Sequence, residues 1–467
     1  MSEDLNIPKG EILGHPKGLF MLFATEMWER FSYYGMRALL VLSMVAAVDS
    51  ANPGFGWSRA DALEFYGTYT GFSYFAPLIG GWLADNFLGQ RRAVVLGAFI
   101  MAAGQFILSA SIAKDLNLFY IGLVVLISGN GLFKANISTM VGELYRPGDA
   151  RRDAAFSIFY MGVNLGAFIA PLVCSTLGED PHFGWKAGYF AAGCGMMLSA
   201  FIQLFLARRF LGNLGMRPSA QRAREKSGGV KVPLTSIERD RLKVIFMLFV
   251  FVMLFWAAFE QAGGLMNLYA SEKTDRMLGS FEVPAGWFQS VNALFIVLLA
   301  PFFGMLWVNL ARRGKGVPTP LKMALGLTLT GIGFLAMVAA VFDQGAHGKA
   351  NMIWLILAYL FHTMGELCIS PVGLSMVTKL APLRLASLMM GVWFLINAFA
   401  NKLAGKIGAF AEHAGELTVF AGLAIFLIAF AIGLWFLAGK LVDWMHGAED
   451  ITPEPILAEP ENAPVIV

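Results

Sequence analysis

The chain has 467 residues, 57% of them hydrophobic and only 14% charged, with a net charge of +3. A mean hydropathy of +0.62 is far too apolar for a water-soluble domain of this length. The composition excludes a soluble enzyme or a nucleic-acid-binding module and indicates an all-α, polytopic membrane protein.

Apolar segments long enough to cross a bilayer as helices recur along the whole chain. In order they fall near 18–48, 62–84, 91–113, 116–143, 153–176 and 186–209, then 243–270, 286–311, 320–342, 351–380, 385–411 and 417–445. Twelve spans are therefore expected, in two groups of six. The intervening loops alternate in charge. Arg91 with Arg92, Arg146 with Arg151 and Arg152, the basic stretch 208–243, Arg312 with Arg313 and Lys315, and Lys379 with Arg384 fall on one side. Asp49, Asp61, Glu179, Asp180, Asp343 and Glu412 fall on the other, with fewer bases. Because basic loops stay in the cytoplasm, both termini are expected to be cytoplasmic, in a plasma or inner membrane.

The expected organisation follows. Residues 1–17 form a cytoplasmic N-terminus, 18–209 a six-helix bundle, 210–242 a basic linker rich in Gly and Ser, 243–446 a second six-helix bundle, and 447–467 a disordered cytoplasmic tail rich in Pro and Glu. The start is acidic, and its first apolar segment exceeds a signal-peptide core, so no cleaved leader is expected. Cys174, Cys194 and Cys368 show no metal-binding or disulfide spacing and are expected to be packing residues.

An internal echo links the halves. Ala76-Pro77 with Gly80 and Asp85 at the end of the second span matches Ala300-Pro301 with Gly304 and Asn309 at the end of the eighth. Weak repeats between halves are what a rocking, alternating-access carrier leaves in its sequence.

The first span carries the most informative residues. Glu26, Glu29, Arg30, Tyr33, Tyr34 and Arg37 recur at helical spacing, so one face of a single helix bears two acids, two guanidiniums and two phenols. Such groups are costly in hydrocarbon, face a protein interior or a watery cavity, and mark a pathway; a purely structural ion-pair network is the competing reading. Two carboxylates competing for Arg30 give a group able to hold a proton, and Glu260 is a second candidate. Counting helical rise along each span places Arg37 and Glu260 at comparable depth, and Lys134 and Glu366 both near mid-membrane. Two pairs between the bundles are therefore expected, Arg37 with Glu260 and Lys134 with Glu366. His362 lies four residues before Glu366 on the same face and is expected to be a packing histidine rather than a proton relay.

The stretch Gly80-Gly-Trp-Leu-Ala-Asp85 through Arg91-Arg92 resembles the loop signature of the major facilitator superfamily. The pattern Glu26-x-x-Glu29-Arg30-Phe31-x-Tyr33-Tyr34 is similar to the first-span signature of the proton-dependent oligopeptide transporter family within it. Segments around Lys134 with Asn136 and Ser138, around Phe156 to Gly166, and around Trp256 with Glu260 and Gln261 resemble further motifs of that family, as do Asn292, Glu366, and Trp393 with Phe394. The resemblance implies the major facilitator fold of twelve transmembrane helices and a proton-coupled symporter for di- and tripeptides, with protons as coupling ion and no cofactor. A monomer would suffice. It also implies proton coupling through Glu26, Glu29, Arg30 and Glu260, and peptide binding by Tyr33, Tyr34, Arg37, Tyr74, Lys134, Asn164, Trp256, Asn292, Glu366, Trp393 and Phe394.

Those residue types suit the task. A short peptide presents a carboxylate, an ammonium and variable side chains, which ask for fixed cations, fixed acceptors and tolerant apolar walls. The chain departs from the family pattern in three places, one being the tenth span, where Leu367 beside Glu366 and Ser370 a turn later leave no hydroxyl role assigned. A polar loop of some thirty residues stands where many bacterial members have two extra helices. The segment Phe65-Tyr66-Gly67-Thr68-Tyr69 lacks the second-span histidine of animal relatives, which leaves proton transfer to carboxylates. A carrier of nitrate, a carboxylate or a peptide-like drug, and a channel or receptor, are the competing readings; no nucleophile, metal cluster or phosphate loop points to an enzyme.

Overall fold

A computed structural model describes residues 8, 10–146, 149, 151–218, 234–382 and 385–448. The middle of the linker, Arg384 and the expected tail beyond 448 lie outside the described residues.

The chain folds as helical rods joined by short turns. The first six are α1 (Lys17–Val45), α2 (Arg59–Leu83), α3 (Gln90–Ser111), α4 (Leu116–Glu143), α5 (Arg151–Glu179) and α6 (Trp185–Phe201, continuing to Leu211). After the linker come α7 (Ser236–Phe259), α8 (Phe288–Arg312), α9 (Thr319–His347), α10 (Ile353–Leu380), α11 (Ala386–Ala414) and α12 (Glu416–Met445). Ten rods among the described residues are long and apolar enough to cross a membrane by length and composition alone. α1 and α2 are outside that set, and α1 is the rod that carries the charged stripe. The protein is a multi-pass membrane protein.

Local chemistry fixes several rod ends. Ser58 accepts from the Asp61 amide at the start of α2, Asp115 accepts from the Asn117 and Leu118 amides at the start of α4, and Thr235 with Glu238 forms a capping box before α7. After α2, a wide helical turn over Ala84–Leu88 carries Asp85 and ends at Gly89, whose φ of 78° no β-carbon-bearing residue adopts easily.

α1 packs on α5 and α6, α3 on α4 and α6, and α2 on α4. In the second half α9 packs on α10 and α12, α7 on α11 and α12, and α8 on α10. The halves meet mainly where α2 lies on α11 and α5 on α8. The first crossing is close because Gly67 of α2 faces Asn401 and Gly405 of α11, where a β-carbon would run into backbone.

Two positions differ from expectation. The seventh span is not one helix: α7 stops at Phe259, a tight 3-10 turn covers Glu260–Gly263, and Leu265–Lys273 resumes as α-helix. The helical path is lost at Gly264, with φ −110° and ψ −103°, and Gly263 lets the turn approach Tyr66 and Arg37, where a β-carbon would overlap the Tyr66 hydroxyl and press on Arg37. The echo between halves is also incomplete in packing. Pro77 and Pro301 both sit inside their helices, but Gly80 abuts the Gly131 backbone of α4 whereas Gly304 has open space around it. Short strand pairs in the connections join Glu11–Ile12 to His15–Pro16, Thr274–Asp275 to Ala350–Asn351, and Met277–Leu278 to Phe281–Glu282.

Of the cysteines, Cys174 and Cys368 are buried and Cys194 is exposed; all are free thiols. His362 is 1% exposed in an apolar slot beside Gly333, with Phe334 at a ring distance of 4.5 Å and Phe259 at 6.3 Å.

Candidate functional site

The charged face of α1 is buried along its whole length. Glu26, Glu29, Arg30, Tyr33 and Arg37 are all at most 8% exposed. Arg30 Nε donates to Glu26 Oε1 at 2.9 Å, one turn apart on the same helix. The same nitrogen lies 2.6 Å from Glu29 Oε2, off the N–H direction, so that contact is charge proximity rather than a hydrogen bond. Among the described residues, Glu26 Oε2, both Glu29 oxygens and Arg30 Nη2 are buried without a hydrogen-bond partner. Two carboxylates therefore share one guanidinium in a buried site, with acceptor capacity to spare.

Seven residues further along α1, Arg37 joins three elements. Its Nη2 donates to Glu260 Oε2 at 2.8 Å, and its Nε donates to the Tyr66 hydroxyl at 2.8 Å. The guanidinium also lies 5.7 Å from the Tyr34 ring centre, and Arg30 lies 5.7 Å from that of Tyr33. The Arg37 to Glu260 pair expected from depth is thus present, and it bridges the two bundles.

Lys134 and Glu366 are not paired. Among the described residues no ion pair joins them, because each group is engaged within its own bundle. The Lys134 ammonium sits 4.1 Å from the ring centre of Tyr74 on α2. The Glu366 carboxylate accepts at 2.9 Å from the Asn292 amide, which also donates to the Thr363 hydroxyl at 2.9 Å. That hydroxyl donates in turn to the Tyr359 carbonyl at 2.7 Å.

The other expected site residues differ in burial and partners. Trp256 is half-buried, its ring edge-on to Phe255 and Phe259, with a buried Nε1 that has no hydrogen-bond partner among the described residues. Asn164 turns its amide back to the Tyr160 carbonyl of its own helix at 2.9 Å. Trp393 points into its own bundle, 8% exposed against Phe249 and Gly373, which is a core position rather than a pocket wall. Phe394 is half-buried.

Sequence reasoning missed Tyr66, Thr363 and Gly263 as parts of this site, and named Gln261 in a motif without giving it a role. Gln261 donates to the Ala257 and Ala404 carbonyls, at 3.1 and 3.0 Å, tying the break after α7 to α11. The adjacent glycines 263 and 264 in an apolar run were the available signal for that break.

The bundles are stapled together at the end remote from the chain termini. Glu179 at the end of α5 accepts from the Ala285 and Gly286 amides at 2.7 and 2.8 Å, capping the turn that leads into α8. Ser290 donates to the Phe168 carbonyl at 2.7 Å, and Asn267 to the Ala38 carbonyl at 2.9 Å. Arg59 of α2 lies 2.9 Å from Glu416, 3.4 Å from Glu272 and 3.9 Å from Glu412. Lys402 of α11 reaches Thr68 at 2.6 Å and Glu64 at 3.2 Å.

Comparison with known proteins adds an independent line. The family model described as PTR2, POT family, matches residues 91–224 and 232–432. The chain is 38% identical to the peptide transporter YePEPT of Yersinia enterocolitica, over 92% of this chain and 95% of that one. It is 33% identical to a di-/tripeptide transporter of Lactococcus lactis subsp. cremoris, over 90% of this chain and 94% of that one. A solved structure of a variant of peptide transporter POT in complex with alafosfalin superposes with a TM-score of 0.86 at 34% identity, covering 95% of this chain and 99% of that one.

Proposed function

The chain belongs to the POT family of membrane transporters, and from that premise we propose that it imports di- and tripeptides across a plasma or inner membrane by proton symport and alternating access. The two similar transporters named for peptides, and the alafosfalin complex of a third, support the substrate class. In this reading the termini are cytoplasmic and the stapled end faces outward.

The observation that carries the reading is the Arg37 to Glu260 contact between bundles. Protonating Glu260 removes the counter-charge and frees the guanidinium for a peptide carboxylate, so that one proton both opens the contact and prepares the site. Glu366, held by Asn292, receives the peptide ammonium on the opposite wall. Glu26 and Glu29, sharing Arg30, supply a second place for a proton. Trp256 and Tyr74 form apolar walls that tolerate different side chains.

The test is uptake of labelled dialanine into proteoliposomes under an inward proton gradient. Accumulation that an uncoupler abolishes, and that unlabelled tripeptide but not free alanine blocks, is the expected result. Absence of uptake by a folded preparation moves the assignment to a carrier of other solutes.

A further inference from the structure

A cleft of about 450 Å³ opens on the second bundle between α7, α11 and α12, away from the charged interior. Its walls are apolar, formed by Ala257, Ile407, Phe410, Leu423 and Phe426. Its floor is open at Gly422, where an added β-carbon would meet nothing within 4 Å. Phe410 and Phe426 are exposed, as is Ile425 beside them at 69%, so this face of the rods looks outward into lipid.

One charged group stands in that surface. Lys406 lines the cleft and is exposed. Among the described residues it makes no hydrogen bond, ion pair or ring contact, whereas Lys402, one turn earlier, is satisfied by Glu64 and Thr68. The 29 residues of α11 span about 43 Å, roughly 13 Å more than the hydrocarbon core. If the excess is shared between the ends, Lys406 starts about 5 Å inside the hydrocarbon boundary at the stapled end. A lysine side chain snorkels over that distance, so its ammonium reaches the level of the lipid phosphates while its stem lies along the cleft.

We propose that this cleft is a binding site for one anionic glycerophospholipid, with an acyl chain over Gly422 and the phosphate paired with Lys406. Charge complementarity selects the occupant. A zwitterionic lipid offers the same chain but no net negative charge, and a free phosphate offers the charge but nothing to fill an apolar groove.

The full-length protein, purified in detergent and given equimolar phosphatidylglycerol and phosphatidylcholine of identical chains, tests this by native mass spectrometry. The wild type is expected to retain phosphatidylglycerol over phosphatidylcholine by about tenfold. Lys406→Gln is expected to abolish that preference while total lipid retention persists. Gly422→Leu, which fills the floor, is expected to lower retention of both lipids. An unchanged preference in Lys406→Gln, or unchanged retention in Gly422→Leu, overturns the proposal. Displacement of phosphatidylglycerol by excess inorganic phosphate overturns the lipid assignment and leaves a bare anion site; continued retention in its presence supports it.

Discussion

Arg37 Nη2 stands 2.8 Å from Glu260 Oε2, and its Nε stands 2.8 Å from the Tyr66 hydroxyl. A single guanidinium thereby ties α1 to α2 and to the break that follows α7. Its position depends on Gly263, which leaves the space that Tyr66 and Arg37 occupy.

Because Glu260 is both the counter-ion and the proposed proton carrier, Glu260→Gln separates the two roles. The amide still accepts a hydrogen bond from Arg37 but cannot cycle a proton. Proton-driven accumulation of dialanine is expected to fall at least roughly tenfold, with counterflow exchange retained; each tenfold corresponds to about 1.4 kcal/mol. Retained uphill uptake in this variant would falsify the coupling role.

Thr363 holds Asn292 in the orientation that serves Glu366. Thr363→Val removes an acceptor from a part-buried amide, a loss of about 1 kcal/mol. The expected outcome is a five- to tenfold higher KM for dipeptide with a smaller change in maximal rate, and recovery in Thr363→Ser. A serine variant as impaired as valine would point to packing by the methyl group instead.

Glu179 accepts two backbone amides at the entrance to α8 and lies 4.0 Å from Arg276. Glu179→Gln keeps one acceptor oxygen and loses the charge, which weakens the staple by roughly 1.5 to 3 kcal/mol. The opening at this end can be read from the labelling rate of a thiol placed at the buried Ala285, whose backbone amide alone contacts Glu179, in a background lacking the exposed Cys194. The rate is expected to rise about tenfold in the Gln variant, and an unaltered rate would show that the staple does not control access.

Gly80 and Gly304 occupy equivalent places in the sequence echo but different places in the packing. Gly80→Ala drives a β-carbon into the Gly131 backbone, whereas Gly304→Ala meets nothing. Overpacking of this kind costs about 1 to 3 kcal/mol. A lower midpoint in thermal-unfolding size-exclusion assays is expected for Gly80→Ala alone. Equal shifts in both variants would contradict this packing account.

Much of the molecule was legible in the sequence. Apolar runs located the rod ends to within about seven residues because a bilayer leaves the backbone no partner but its own helix. The stripe from Glu26 to Arg37 was legible for the same reason, since helical periodicity alone puts those positions on one face. Counting rise along the spans also brought Arg37 and Glu260 to one level, and in this case the two charges meet.

The same arithmetic failed for Lys134 and Glu366, because equal depth is not contact. Lateral separation and local partners decide whether two charges meet, and both are tertiary quantities: the Tyr74 ring lies under one group and the Asn292 amide against the other. Trp393 shows the same limit, since its motif cannot say whether the ring faces a cavity or Phe249. The sequence by itself determined that the chain spans a membrane, how its rods are ordered, and which face of α1 carries charge. Only the tertiary structure decided that α7 breaks at Glu260, that Tyr66 and Thr363 complete the two polar centres, and that the bundles are joined at the end remote from the termini. Those features arise where rods from distant parts of the chain touch, and no periodicity within one rod encodes its neighbours.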